Sequence, residues 1–384
     1  MSKVCILYVS NLISKRLEEN FIKKEPDKIG LQVQKYHRLL TWGFSDKKCN
    51  VAALSFNNPL VNMKSVVYDE KERKIQFHYI LPHISKMLHI KVILQSFQYA
   101  FLFLKKHKNS VVICDVLCIS NSIGALLAAV LLKRDRIGIV TDLPETLAPK
   151  ESMICKFSYL AIHLCNKYIL LTEQMSQRIN SKKKYIVLEG HVDTRMEKKE
   201  NCLGKKADKK ICIYAGGLYR KYGVEKLVQA FKRLEIDDAE LHIYGDGDYA
   251  DELRKNKNKS IIYHGIVSNE EVIQAEIQAT LLINPRPSNE EFTKYSFPSK
   301  NMEYMASGTP VLTTKLPGMP KEYNRYVYVF EDESIEGMIE TMKKVLNKPR
   351  EELHKKGMLA KKFVMKYKNN DVQAEKVIRR LIRK

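Results

Sequence analysis

The chain has 384 residues, 45% of them hydrophobic, and a formal net charge of +22 from 66 Lys and Arg against 44 Asp and Glu. That length exceeds one ordinary core and suffices for two, while no apolar run approaches the ~20 residues that span a bilayer. The opening MSKVCILYVSNL has neither the apolar core nor the cleavage site of a secretion signal. Charge speaks of partners rather than fold: nucleic acid, an anionic membrane face and phosphorylated substrates all fit it, and so do solvated helix faces. Residues 343–384 concentrate it, with 15 Lys and Arg against 4 Asp and Glu. The eight cysteines form no CxxC pair and no metal-spaced set with histidine. They predict buried free thiols in a reducing, cytoplasmic compartment and argue against zinc.

Apolar runs alternate with helical patterns along the whole chain, which predicts a parallel α/β architecture. Expected strands in the first half are 3–9, 50–55, 75–80, 111–114, 137–141, 168–171 and 185–188, with helices at 30–41, 84–106, 122–132, 151–165 and 173–180. The charged stretch EKKENCLGKKADKK, residues 197–210, has almost no apolar content and reads as a linker. Alternation then restarts, with strands at 211–214, 240–244, 261–263, 281–284 and 311–313 and helices between them. Residues 351–384 read as two basic helices broken near 368–371. The expected organisation is two doubly wound, Rossmann-like domains facing each other across a cleft: 1–196, a linker at 197–210, and 211–368.

Three segments of the second half carry chemistry. The first is NPRPSNEEFTKYSFPSKNMEYMASGTP, residues 284–310, which leaves a strand and enters a helix at Pro298-Ser299. Proline suits a first helical position, and the next amides, on Ser299 and Lys300, lack intrahelical acceptors and can face an anion. Ser299 and Glu303 share a helix face, with Lys300 three residues from Glu303. A diphosphate wants the amides and the lysine; a ribose diol wants the carboxylate. A plain surface Lys300–Glu303 pair is the competing reading. The second segment is ICIYAGGLYRKYGV, residues 211–224, where a strand runs into Gly216-Gly217 and then the cations Arg220 and Lys221. Glycines there let backbone approach a ligand closely. The third, LHIYGDG, residues 241–247, ends a strand in a Gly-Asp-Gly turn. No GxSxG, Walker or GxGxxG pattern is present. The lysines are not interleaved with aromatics in the manner of RNA-binding proteins, so a basic nucleic-acid-binding protein is the weaker alternative.

In order and spacing, AGGLYRKYGVEKLVQAF, LHIYGDGDY, IIYHGIVSNEEV and EYMASGTPV together resemble the retaining glycosyltransferases of family 4, with their two-Rossmann GT-B fold. VLEGHVD and VTDLPE are weaker matches in the first half. The resemblance implies a hexosyltransferase-like enzyme of cell-surface polysaccharide synthesis. It implies a nucleotide-sugar donor in the C-terminal domain, a saccharide or lipid-linked saccharide acceptor mainly in the N-terminal one, and catalysis without metal or cofactor. The last helix, about 369–384, would cross back onto the first domain. In that family two glutamates eight apart hold the donor; Glu303 matches the second, and Tyr295 stands at the first, as in YSFPSK-type members. Gly217 and Tyr222 occupy positions where the family places Arg and Lys, so Arg220 and Lys221 are the nearest substitutes, and Arg286 is a further candidate for the diphosphate beside Lys300. Ser296 and Ser299 complete the donor set. Where many members have a histidine, this chain has Thr141-Asp142, so Asp142 joins Lys300 and Arg286 as a catalytic candidate; a chain-turning Asp is its plain reading. A catalytically silent partner subunit is the same-fold alternative. Finally, helix 84–106 combines a heavy apolar load with Lys86, Lys91, Lys105 and Lys106. It is either a core helix or a peripheral contact with the anionic inner face of the cell membrane.

Overall fold

Strands of α/β proteins are covered on both faces and so read as near-continuous apolar runs. The computed structural model describes residues 4–24, 31–57, 69–81, 87–179 and 182–383. Its chain separates into two compact units, residues 1–191 with 370–384, and residues 192–369. In unit 1 the strands are β1 (Cys5–Ser10), β2 (Asn50–Ser55), β3 (Asp69–Glu72), β4 (Ile75–Tyr79), β5 (Ser110–Asp115), β6 (Asp135–Val140), β7 (Lys167–Leu170) and β8 (Lys184–Val187). They form one sheet in the order β3-β4-β2-β1-β5-β6-β7-β8. All neighbours are parallel except β3 and β4. Helices cover both faces. On one, helix Leu31–Asp46 packs against helix Asn370–Val377 at Gly43, where a Cβ would lie 2.4 Å from the Asn370 carbonyl oxygen. Ala374, Val377, Ile378 and Leu381 thus close a core otherwise built from the chain's first half.

Unit 2 holds β9 (Lys210–Ala215), β10 (Ala239–Tyr244), β11 (Ile261–Gly265), β12 (Leu281–Asn284), β13 (Val311–Thr314) and β14 (Tyr328–Phe330). They form a six-stranded sheet, parallel throughout, in the order β11-β10-β9-β12-β13-β14. Counted within the unit, that is third, second, first, fourth, fifth, sixth: the dinucleotide-fold order.

Several expectations need correction. Residues 197–210 are not a bare linker. They begin in the 3-10 turn Thr194–Lys198, carry a second at Leu203–Lys205 and pack on unit 2. The buried Asn201 donates to Ser307 O and Thr309 Oγ1, each at 3.0 Å. Lys206 Nζ donates to Ile277 O at 2.9 Å and Ala279 O at 2.5 Å, where it satisfies carbonyls at a helix end. The segment is poor in apolar residues but not in donors. Strand β3, sequence DEKE, also went unforeseen: it is an edge strand without an apolar face, held by its carboxylates. Glu70 accepts from Ser14 Oγ at 2.8 Å and Arg16 Nε at 2.8 Å, and Glu72 from Trp42 Nε1 at 3.1 Å. The helix expected from 84 runs over Leu88–Lys106, and Lys86 lies outside the described residues. It is not a core helix on all sides, since it buries only Val92, Ser96, Ala100 and Leu104.

Candidate active site

In an open parallel sheet a ligand binds beyond the carboxyl ends of the strands, where the strand order reverses. In unit 2 that point lies between β9 and β12. Two segments leave those ends: Gly216-Gly217 after Ala215, and Pro285-Arg286 after Asn284.

Backbone meets backbone here. Gly216 has φ +140°, in the region that favours glycine, and its N–H donates to Tyr244 O at 2.9 Å. A Cβ on Gly245, in the loop after β10, would stand 2.0 Å from Gly216 O. A Cβ on Gly216 itself would stand 1.8 Å from Lys300 Nζ. The space a side chain would fill is therefore occupied by the end of Lys300.

Lys300 belongs to helix Ser299–Ser307, which follows β12. Its ammonium donates to the Tyr214 hydroxyl at 3.0 Å and lies 4.4 Å from that ring's centroid; the hydroxyl in turn donates to Gly217 O at 2.7 Å. The side chain is half-buried as a whole, with its charged end enclosed between Gly216 and Tyr214. Burial brings its pKa down to about 7, Arg286 pushes the same way and Glu303 opposes. Glu303, one turn into the helix, is half-buried.

Arg286 donates to Ser296 Oγ at 3.0 Å, with its guanidinium 4.7 Å from the Phe292 ring centroid and 5.2 Å from that of Tyr222. Ser296 donates onward to Phe292 O at 3.0 Å. Tyr295, half-buried, ends the 3-10 turn Glu291–Lys294 just before this point. Ser299 is exposed as the first helical residue. Pro298 is the N-cap rather than the first helical position, with ψ 90° outside the helical range.

The other two cations are placed differently. Arg220 is exposed and pairs with Glu225 at 2.6 Å and with Glu252. Its guanidinium also lies 4.9 Å from the Tyr249 ring centroid. Lys221 is exposed, 5.5 Å from the Tyr222 ring centroid. Asp142 belongs to unit 1, half-buried in the bend that follows β6.

Sequence reading missed what lies beneath. Asn284 Nδ2 donates to Asn301 Oδ1 at 2.8 Å, and Asn301 Nδ2 to Thr313 Oγ1 at 3.1 Å, all buried. The Tyr304 hydroxyl accepts from Ala215 N at 2.8 Å and donates to Ala215 O at 3.3 Å. These bonds pin the Ser299 helix to the ends of β9, β12 and β13, and so hold Lys300 over Gly216. An Asn ending β12 and another on the helix was the available signal.

Residues 195–363 match the family model described as glycosyl transferases group 1. Among solved structures, sucrose-phosphate synthase of Thermosynechococcus elongatus superposes with a TM-score of 0.66 at 12% identity, covering 99% of each chain. TarM, known from S. aureus, gives 0.67 at 13%, covering 99% of this chain and 98% of its own. Anabaena HepE, solved with UDP and glucose, gives 0.63 at 11%, covering 98% of each. At such identities the likeness is one of fold. No curated protein sequence matches the chain. Residues 195–363 thus resemble the group 1 glycosyl transferases, and the two parallel-sheet units share the GT-B fold of these structures.

Proposed function

We propose that the chain moves a sugar from a nucleoside diphosphate sugar to a hydroxyl of a saccharide or lipid-linked saccharide, with retention at the anomeric carbon and without a metal. The observation that carries this reading is the Lys300 ammonium seated against the bare backbone of Gly216 at the switch point of the unit 2 sheet. A diphosphate placed there meets that charge, the Arg286 guanidinium and the first amides of the Ser299 helix. Glu303 accepts from the ribose hydroxyls. As the bond from the anomeric carbon to the diphosphate oxygen breaks, negative charge grows on the leaving group, and Lys300 and Arg286 stabilise it. The acceptor oxygen bonds to the same carbon on the same face, and its proton passes to the departing phosphate. Asp142 is kept as an acceptor contact. Two neighbours were solved with UDP, which makes UDP-sugars the first donors to try. Cell-surface polysaccharide synthesis is the setting such acceptors imply.

The test is a thermal-shift screen of UDP-, GDP-, dTDP- and ADP-sugars, followed by release of nucleoside diphosphate in excess EDTA. One donor should raise Tm, since occupancy at a hundredfold excess over Kd adds ~2.7 kcal/mol. Turnover should survive chelation, with a product of unchanged anomeric configuration. No shift with any donor overturns the donor assignment. Silencing by EDTA with rescue by Mn²⁺ overturns metal independence, and an inverted product overturns retention.

A further inference from the structure

We propose that a three-helix face of unit 1 is a docking surface for an anionic phospholipid bilayer. The chain advances from β4 to β5, β6 and β7 in one direction across the sheet. Right-handed crossovers therefore lay helices Leu88–Lys106, Ile119–Leu131 and Met153–Leu164 on the same face. They pack side by side in that order. The first two meet at Gly124, where a Cβ would stand 2.3 Å from Ile93 O.

Their outer sides are not those of an ordinary surface. Leu94 is 62% exposed, Leu131 63%, Met153 61% and Ile154 59%, with Ile90, Leu102, Phe157 and Leu160 also exposed. Of the 18 exposed large hydrophobics among the described residues, 12 fall between Met87 and Leu160. Single exposed leucines need no explanation; a run of them over three adjacent helices does.

Charge identifies the occupant. None of the three helices contains an acidic residue. Lys91, Lys105, Lys106 and Lys156 are exposed upon them. At the edge of the Met153 helix lies a cavity of about 510 Å³, lined by Lys150, Lys156, His163 and Arg178 beside Leu160. One carboxylate enters it: Glu145 accepts from the Tyr159 hydroxyl at 2.6 Å and pairs with Arg178 at 3.5 Å. Two lysines, an arginine and a histidine against one acid, next to an exposed apolar stripe, suit a lipid phosphate whose chains lie beside Phe157 and Ile154. Apolar insertion combined with a cationic rim is how interfacial helices hold an anionic leaflet.

The proposal extends the lipid-linked acceptor reading, while its test reads vesicle binding alone, so failure to turn over any donor leaves it standing. The full chain is floated with vesicles of phosphatidylglycerol and phosphatidylcholine, and with phosphatidylcholine vesicles, at low and high salt. Binding to the anionic vesicles that weakens with salt is expected. Lys150→Gln with Lys156→Gln should cut partitioning by ~25-fold, at about fivefold per basic residue. Ile154→Ser with Phe157→Ser should abolish the binding that survives high salt. Unchanged Tm in both variants shows that the fold is retained. Equal recovery with both vesicle types overturns the proposal. So does a dimer in sedimentation equilibrium that Ile154→Ser with Phe157→Ser splits while no anionic vesicle is bound, since a second copy would then own the face.

Discussion

The two units solve the same architectural problem with different surfaces. Both are parallel sheets wrapped in helices, yet of the seven described glycines in the left-handed region, six lie in unit 2 and only Gly190 in unit 1. At the carboxyl ends of β9 and β10, Gly216, Gly245 and Gly247 bring backbone against backbone, leaving room for one charged side chain. Unit 1 shows its distinctive face on helix exteriors, through side chains that fold stability alone does not require. A site built from main chain tolerates little change in sequence. A face built from side chains needs only character and area.

Five measurements can break or sharpen this contrast. The largest effect should come from Lys300→Ala, with kcat falling ~10²–10³-fold, as when a preorganised charge is removed from a developing anion, and Tm nearly unchanged. A loss under tenfold would remove unit 2's claim to the chemistry. Glu303→Ala follows: losing a charged hydrogen bond costs ~1.5–3 kcal/mol, so donor affinity measured by titration calorimetry should drop ~10–100-fold.

Third is pH. Lys300 keeps its proton below about 7 in the free protein and sheds it above. A bound diphosphate favours the charged form, so binding above that pH must take up a proton. Donor affinity should be flat below about 7 and fall by up to tenfold per unit above it. Calorimetry in buffers of different ionisation heat reads that uptake directly; equal heats would detach Lys300 from the diphosphate.

The fourth change probes unit 1. Gly124→Val drives a side chain into Ile93 O, and overpacking of this kind costs ~1–3 kcal/mol. Denaturant unfolding should show the loss while donor affinity stays as it was; a matching fall in affinity would mean the contrast is false. The smallest effect belongs to Arg220→Ala. With its guanidinium between Glu225 and Glu252 on an exposed edge, it should alter donor affinity by no more than about fivefold, the range of surface pairs.

How far the sequence was readable follows the same division. β2 and β12 fall on the residues expected, and most other strands within two, because buried parallel strands leave unmistakable apolar runs. β14, three residues long, and the charged β3 left no such trace. Around the candidate site, Gly216 and Lys300 were visible as motif members, but not that one occupies the space the other vacates. That relation joins residues 84 apart in the chain. Tyr214, which accepts the Lys300 hydrogen bond, looked like one more apolar strand residue. For Arg220, expected as a phosphate ligand, the pairing with Glu225 and Glu252 was not legible, because those carboxylates come from different helices. Spacing displays groups on one element; it is silent about neighbours brought in by tertiary packing.

The return of residues 370–384 to unit 1 has a consequence for the chain's birth. Unit 2 is continuous and can complete itself as soon as it is made. Unit 1 residues up to 191 emerge before unit 2, yet their core lacks Ala374, Val377, Ile378 and Leu381 until unit 2 has been made. At ~5–20 residues per second, the intervening unit takes ~10–40 s to make. Throughout that interval the groove beside Gly43 lacks its cover, and the nascent protein offers any chaperone on the ribosome an apolar surface that helix Asn370–Val377 later fills.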